Sequence, residues 1–318
     1  QDCALPYVGK IDRIDIGIPI HCLDALQAKI PLNISSKDIS NLDWPELSPN
    51  SMKYERGRVL VVAGSSSYRG AALLALQGAM ASGVGSVQAF LPKLVADQIW
   101  QLIPEVVLKG VLNSPLLEPA LGASFKEFDF SKVDVVLFGP GLSCIGELSL
   151  STWAALKEFK GLLVIDADGI NRLALNNQGW QWLKGRKGPT WITPHRGEFA
   201  RLFPDLKAIN PIYAAKEASM IAGVGIVLKG AHSVISDPNG RVWQLVNTSE
   251  YAARTGWGDV LAGYVSGVGA IGYASSVGFD HELLAKAVLM HSEAAKKCQE
   301  SSAASDLASF LARITRRT

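Results

Sequence analysis

With 318 residues and a mass of 34.0 kDa, the chain has room for about two average domains, or for one large α/β domain with an appendage. Hydrophobic residues make up 48% and charged residues 19%, which excludes a disordered, collagenous or coiled-coil chain. Thirty-one basic against 29 acidic residues leave a net charge of +2, too little for a protein that binds nucleic acid by neutralising many phosphates. No nucleic-acid partner is expected, and any basic site must be local.

Residues 1–56 have a texture of their own, with short apolar runs, Pro19, Pro31, Pro45 and Pro49, and a polar stretch from Asn33 to Asn50. They read as an extension rather than a domain. Asp2, Asp12 and Asp15 interrupt the first fifteen residues, which therefore lack the apolar core of a signal peptide. Gln1 stands where an initiator Met would, so the reading is that something upstream was removed. Cys3, Cys22, Cys144 and Cys298 are far apart and form no C-x-x-C pair, indicating neither a zinc site nor a disulfide framework. A reducing, cytoplasmic setting is expected. The sequons at Asn33 and Asn247 accordingly read as a turn and a strand end rather than as glycosylation sites.

From Gly57 onward, apolar β-branched runs return between longer helical segments. The runs Arg58–Ala63, Val133–Phe138, Leu162–Ile165, Thr190–Thr193, Gly225–Leu228 and Ser233–Ser236 suit strands buried on both faces. Between them Gly70–Ser82, Glu147–Phe159, Arg196–Phe203 and Ile212–Ala222 space their apolar residues as helices do. These predict an α/β fold, a doubly wound and mostly parallel sheet with helices on both faces. Arg241–Val246 follows across Asp237-Pro238-Asn239-Gly240, a hairpin tetrad, so the last strands should be antiparallel. Helices at about Gly258–Tyr273, Glu282–Gln299 and Ser302–Ile314 fill the C-terminus. Val260 to Phe279 carries no charge, but its glycines and serines fit a closely packed buried helix better than a membrane span, and no membrane association is expected. Within it, Gly267-Val-Gly269-Ala-Ile-Gly272 spells the dinucleotide fingerprint in the wrong place, inside a helix rather than between strand and helix.

Ligands of such a sheet bind beyond the carboxyl ends of its strands. The segments there are Ala63-Gly64-Ser65 through Gly70-Ala71, Gly139-Pro140-Gly141-Leu142, Asp166-Ala167-Asp168, Thr193 through Glu198, Lys229 through His232, and Thr255 through Asp259. No Walker A loop, H-E-x-x-H or G-x-S-x-G occurs. Gly256-Trp257-Gly258-Asp259 turns tightly into a helix, aiming unpaired amides and the positive helix end at one point, where Asp259 can serve as a base or simply as a cap. His195 and Glu198 open another helix; Glu198 can hold a magnesium-bound water or complete a capping box. Asp166 and Asp168 can orient a hydroxyl or a metal water, or be a solvated strand end. Lys229 can meet a nucleotide phosphate, or be a snorkelling edge lysine.

Taken in order, Ala63-Gly-Ser-Ser…Arg69-Gly70-Ala71, Gly139-Pro-Gly-Leu142, Ile165-Asp-Ala-Asp168, Thr193-Pro-His-Arg-Gly-Glu198, Leu228-Lys-Gly-Ala-His-Ser233 and Gly256-Trp-Gly-Asp259 make the chain from Gly57 to Thr318 resemble the NAD(P)H-hydrate dehydratase family of the ribokinase-like superfamily. The resemblance implies ADP- or ATP-dependent removal of water from NADH or NADPH hydrated on the nicotinamide ring, with Mg2+ near Glu198. It assigns Ala71, Gly141, His195 and Asp259 to the hydrated dinucleotide, and Lys229, Gly230, Ala231, His232, Ser233 and Gly258 to the adenine nucleotide. Asp259 is the expected base, with the amides of Gly256 to Asp259, hence Gly256 and Gly258, holding the migrating phosphoryl group. Cys3 to Ile20, especially Gly9-Lys-Ile and Asp15-Ile-Gly-Ile-Pro19, looks like the close of the NAD(P)H-hydrate epimerase domain often fused upstream. The domains expected are therefore an extension at 1–56 and a dehydratase domain at 57–318, assembling as a homo-oligomer. Three departures from the family pattern stand out: Trp257 for a small residue, Ser249-Glu250 for Gly-Asn, and Arg196 for proline. Trp257 can narrow the phosphate site, stack on a ligand or pack in the core. The alternatives are a small-molecule kinase of the same superfamily, using the same Asp259, and an inactive nucleotide-binding module.

Overall fold

Strands that are apolar on both faces need helices above and below, and the chain supplies both layers. In the computed structural model, which describes residues 16–19, 22, 30–41, 50–112, 125, 127–144, 150–206, 210–246, 248–249, 252–275 and 279–315, the described residues build a 10-stranded sheet. Its strands are β1 (Leu32–Ile34), β2 (Arg58–Val62), β3 (Ser86–Pro92), β4 (Val107–Leu112), β5 (Val135–Phe138), β6 (Leu162–Ile165), β7 (Thr190–Ile192), β8 (Gly225–Leu228), β9 (Val234–Ser236) and β10 (Val242–Leu245). They run in the order β1-β10-β9-β8-β7-β6-β5-β2-β3-β4. From β4 to β8 every pairing is parallel; β8–β9 and β9–β10 are antiparallel, as the tetrad predicts. Asp237 shapes that turn by accepting from the amides of Asn239 (3.0 Å) and Arg241 (2.8 Å), and Gly240 takes φ +81°.

One face of the sheet is covered by α1 (Arg69–Ala81), α9 (Trp257–Ala274), α10 (Glu282–Ala295) and α11 (Ala304–Thr315). On the other lie α4 (Leu150–Glu158), α5 (Asp168–Leu175), α6 (Gln181–Lys184), α7 (Arg196–Leu202) and α8 (Pro211–Ala222), while α2 (Lys93–Ala96) and α3 (Ile99–Leu102) follow β3. The period of two along β2 separates the cores: Val59 and Val61 face α9, and Leu60 and Val62 face the opposite layer. Strands β2, β3 and β4 progress one way, and β5 through β8 the other. The order therefore reverses between β2 and β5, where open α/β sheets leave a crevice at their carboxyl ends.

Glycines let α1 and α9 touch backbone to backbone. A Cβ on Gly78 would lie 2.2 Å from the Val260 carbonyl oxygen, and one on Gly263 only 1.9 Å from that of Ala75. The fingerprint-like glycines serve packing too: a Cβ on Gly267 would meet Ser82 Oγ at 2.1 Å, one on Gly269 Leu162 at 2.5 Å, and one on Gly272 Leu283 at 2.2 Å. No helix among the described residues is long and apolar enough to cross a membrane.

Several elements go unannounced in the sequence. Strand β3 is buried from Val87 to Pro92, but Ser86 and Gln88 break its apolar run in the sequence, and β4 is half exposed at the sheet edge. Helix α5 begins at Asp168, inside what reads as a strand end. Within residues 1–56, β1 pairs in parallel with β10, Leu32 opposite Trp243 and Ile34 opposite Leu245, and Ile34 is buried in the α9-side core. Asn33 lies in this strand, not in a turn; Asn247 falls outside the described residues. Cys22, Cys144 and Cys298 are free thiols, whereas Cys3, Gly9 through Ile11 and Asp15 lie outside the described residues.

Candidate functional site

The crevice between β2 and β5 is stitched by the amide of Gly64, which donates to the Pro140 carbonyl at 2.8 Å. Gly139 has φ +136°, and a Cβ there would lie 1.8 Å from the Asp166 carbonyl oxygen, so the two loops can pass only with glycine at this position. Gly141 (φ +64°) sits against the start of α1, where an added Cβ would meet Ala71 Cβ at 2.7 Å and Tyr68 Cβ at 2.8 Å. Ala71 and Gly141, far apart in sequence, are thus neighbours at the mouth of the crevice. Asp168 closes its floor, accepting from the Ser143 amide at 2.8 Å and from Asn171 Nδ2 at 3.3 Å.

Further along the same edge, β6, β7 and β8 deliver Asp166, Thr193 and Lys229 to one point. Asp166, 2% exposed at its side chain, accepts on Oδ1 both the Thr193 hydroxyl (2.6 Å) and the Lys229 ammonium (2.7 Å). The Lys229 amide donates to the Pro194 carbonyl at 2.8 Å, which sets His195 beside Lys229. Lys229 Nζ lies 3.6 Å from where a Cβ on Gly258 would stand, against the first turn of α9. Burial opposes the charged amine, but Asp166, Glu198 and Asp259 outweigh it and raise the Lys229 pKa.

Gly256 starts α9 in the left-handed region (φ +88°) with no side-chain cap, and among the described residues only Trp257 of the first three helical amides has a backbone partner, the Arg254 carbonyl. The amides of Gly258 and Asp259 are therefore open donors at the positive helix end. Burial first, and then the Asp166 charge, push the Asp259 carboxyl up to about 7, against the pull of Lys229. A carboxyl poised there exchanges protons near neutrality, as a general base must.

His195 is the N-cap of α7. Its Nδ1 accepts from the amides of Gly197 (2.9 Å) and Glu198 (3.2 Å), while Glu198 Oε2 accepts the His195 amide at 2.8 Å and Oε1 lies 3.2 Å from His195 Nε2. Burial and the cations Lys229 and Arg201 lower the His195 pKa, keeping the ring neutral, and 52% of its side chain faces solvent. Arg196 takes the first helical position of α7, a place where proline is ordinarily well accommodated.

Glu198 completes the capping box of α7. Both of its oxygens are engaged by His195, burial raises its pKa, and among the described residues no three His, Cys, Asp or Glu side chains converge as metal ligands. These residues do not fit a magnesium ion held by the protein.

Gly230, Ala231, His232 and Ser233 form an exposed to half-buried turn running on from Lys229, closed by Gly230 and the Ser233 hydroxyl at 3.4 Å. His232 Nδ1 is buried with no hydrogen-bond partner among the described residues, an orphan acceptor or donor suited to a ligand, and the uncapped start of α9 suits phosphate, so a nucleotide fits this edge. Trp257 resolves its three readings: the indole is 2% exposed within the α9-side core, with the Arg254 guanidinium 5.9 Å from its ring centroid, so it packs rather than crowding or stacking on a ligand. Ser249 is described, and Glu250 lies outside the described residues. Sequence reasoning misses the Thr193 side chain, for which the only signal is its place at the head of the His195 motif.

Comparison with known proteins places the chain in a family. The family model described as NAD(P)H-hydrate dehydratase matches residues 59–317. Among curated proteins, the bifunctional NAD(P)H-hydrate repair enzymes Nnr of Synechocystis sp. and Gloeobacter violaceus are 35% and 37% identical, over 84% and 83% of this chain and 50% and 51% of theirs. The chain thus spans about half the length of the curated relatives it matches. Among solved structures, an ADP/ATP-dependent NAD(P)H-hydrate dehydratase from Bacillus subtilis, co-crystallised with ATP/Mg2+, superposes with a TM-score of 0.72 at 26% identity, covering 91% of this chain and 99% of that one. With the ribokinase-like α/β sheet, the glycine-started α9 and the ordered motifs all in place, the chain belongs to the NAD(P)H-hydrate dehydratase family.

Proposed function

We propose that this chain is a hydro-lyase that removes water from hydrated NADH and NADPH at the expense of ADP or ATP, repairing the nicotinamide ring. The observation that carries the reading is Asp259, a carboxyl with its pKa near 7 in the first turn of a helix whose amides stand open beside the Lys229 ammonium. Hydroxide leaves poorly, and phosphorylation turns it into a good leaving group. Asp259 takes the proton of the ring hydroxyl as its oxygen attacks the terminal phosphoryl group of the nucleotide, and the bond to the departing nucleotide breaks. The amides of Gly258 and Asp259 hold the migrating group, and Lys229 offsets its charge. The ring nitrogen lone pair then expels phosphate as the carbon–oxygen bond breaks, and loss of a proton from the neighbouring ring carbon restores the dihydropyridine.

In this reading Ala71, Gly141 and His195 face the hydrated dinucleotide, and Gly230 through Ser233 the adenine nucleotide. The relatives' name, bifunctional, and the resemblance of residues 3–20 to the close of an epimerase domain support a fused NAD(P)H-hydrate epimerase upstream of a dehydratase domain beginning at Gly57. Exposed Leu94, Trp100, Leu102, Val107 and Leu108 around β4, the last strand on that side among the described residues, support self-association, which sedimentation velocity tests.

The deciding assay follows recovery of the NADH absorbance band from hydrated NADH, with ADP and ATP supplied separately and free phosphate measured. Recovered NADH with stoichiometric phosphate is expected. A stable phosphorylated product makes the chain a small-molecule kinase instead, and binding without turnover makes it a nucleotide-binding module.

A further inference from the structure

Asp166, Asp168, Glu198 and Asp259 come from separate segments to one edge of the sheet, close enough that Asp166, Asp168 and Glu198 each raise the Asp259 pKa. Clustered carboxylates near a phosphoryl-transfer site ordinarily hold a divalent cation. Here three of the four, Asp166, Asp168 and Glu198, have oxygens committed to other partners. Asp166 Oδ1 binds Lys229 Nζ at 2.7 Å and the Thr193 hydroxyl at 2.6 Å, Glu198 spends both oxygens on His195, and Asp168 binds the Ser143 amide. Magnesium demands near-octahedral oxygen ligands at about 2.0–2.1 Å and sheds water reluctantly, so it would have to displace these bonds and share the space with an ammonium. Lys229, by contrast, is tethered to the end of β8, and its Nζ sits between Asp166 and the first turn of α9 that carries Asp259.

We propose that the Lys229 ammonium is the resident cation of this centre, filling the position among Asp166, Glu198 and Asp259 that a protein-bound divalent ion would need. Magnesium then reaches the site only on the phosphates of the nucleotide. The second half of this statement rests on the nucleotide-dependent reading above; the first does not. A tethered cation has a consequence for design: its charge is present before any nucleotide arrives, so the carboxylates are already compensated in the empty site.

The test is a Mn2+ titration of nucleotide-free protein, with no hydrated dinucleotide present, reading the free ion by electron paramagnetic resonance. Wild-type protein should leave Mn2+ free and take it up only once ADP or ATP is added. Lys229→Met keeps the stem and removes the charge; it should bind Mn2+ without nucleotide at least about tenfold more tightly than wild type, and adding Asp166→Asn to it should abolish the gain. Lys229→Gln serves the same purpose should the Met variant not fold, and circular dichroism identifies the folded ones. Stoichiometric Mn2+ binding by nucleotide-free wild type, or no gain in a folded neutral variant, overturns the proposal. Failure of the dehydratase reading would appear instead as unrecovered NADH, which leaves the titration unaffected.

Discussion

Asp259 titrates near neutrality because it is half-buried beside other carboxylates, and that environment makes two predictions at the residue scale. Asp259→Asn keeps the size of the side chain and should lower turnover by roughly 10²- to 10⁴-fold, while the wild-type rate climbs as pH rises through about 7. A wild-type rate that is flat from pH 5 to 9 would remove Asp259 from its role as base. Stability should move the other way. The folded pKa, about 7, exceeds the ordinary value of 3.8, so the folded protein binds the proton more tightly, and the stability that proton confers is complete below about 4 and lost as pH rises through 7. Asp259→Asn should therefore melt at or above the wild-type temperature at pH 8, with the advantage vanishing at pH 3.5. Trp257 acts through packing. Trp257→Gly should cost on the order of 3 kcal/mol or more in urea unfolding, whereas the folded fraction binds ADP as wild type does. Weakened ADP binding at unchanged stability would return the indole to the ligand.

At the scale of elements, the α1–α9 contact depends on missing side chains. A methyl at Gly263 would stand 1.9 Å from the Ala75 carbonyl oxygen, so Gly263→Ala must push α1 and α9 apart and should destabilise by about 1–3 kcal/mol. Because α9 also carries the anion-binding amides, nucleotide affinity should fall with it. Gly230 supplies the contrast, having open space around its Cα and an ordinary φ. Gly230→Ala should leave the melting temperature unchanged, and any loss of ADP affinity measured by calorimetry then reports on the ligand alone. Unchanged affinity would take the Lys229–Ser233 turn out of the nucleotide site.

For the whole molecule, the reach of residues 1–56 into the sheet matters. Strand β1 covers β10 and buries Ile34, so deleting residues 1–50 should lower stability by about 2 kcal/mol, although every proposed site residue lies beyond Gly57. Retained dehydration with a lowered melting temperature is the expected result; a folded product without activity would mean that β1 shapes the site.

Much of this was legible in the chain itself. Continuous apolar runs such as Leu162–Ile165 can only be doubly buried strands, and glycines at strand ends announce turns that backbone must pass closely, so the α/β class and the edge bearing the motifs followed from local chemistry. Sequence periodicity also placed Gly267, Gly269 and Gly272 inside a helix rather than in a dinucleotide loop. Tertiary structure alone decided what each polar side chain does. Asp166 and Lys229 are neighbours only because β6, β7 and β8 lie in that order, Glu198 is engaged by a histidine that its own helix start folds back upon it, and Trp257 packs inward because the turn of α9 points it at the core. Spacing along a chain limits which groups can meet; the order of strands and the burial around them set which do, and with what charge.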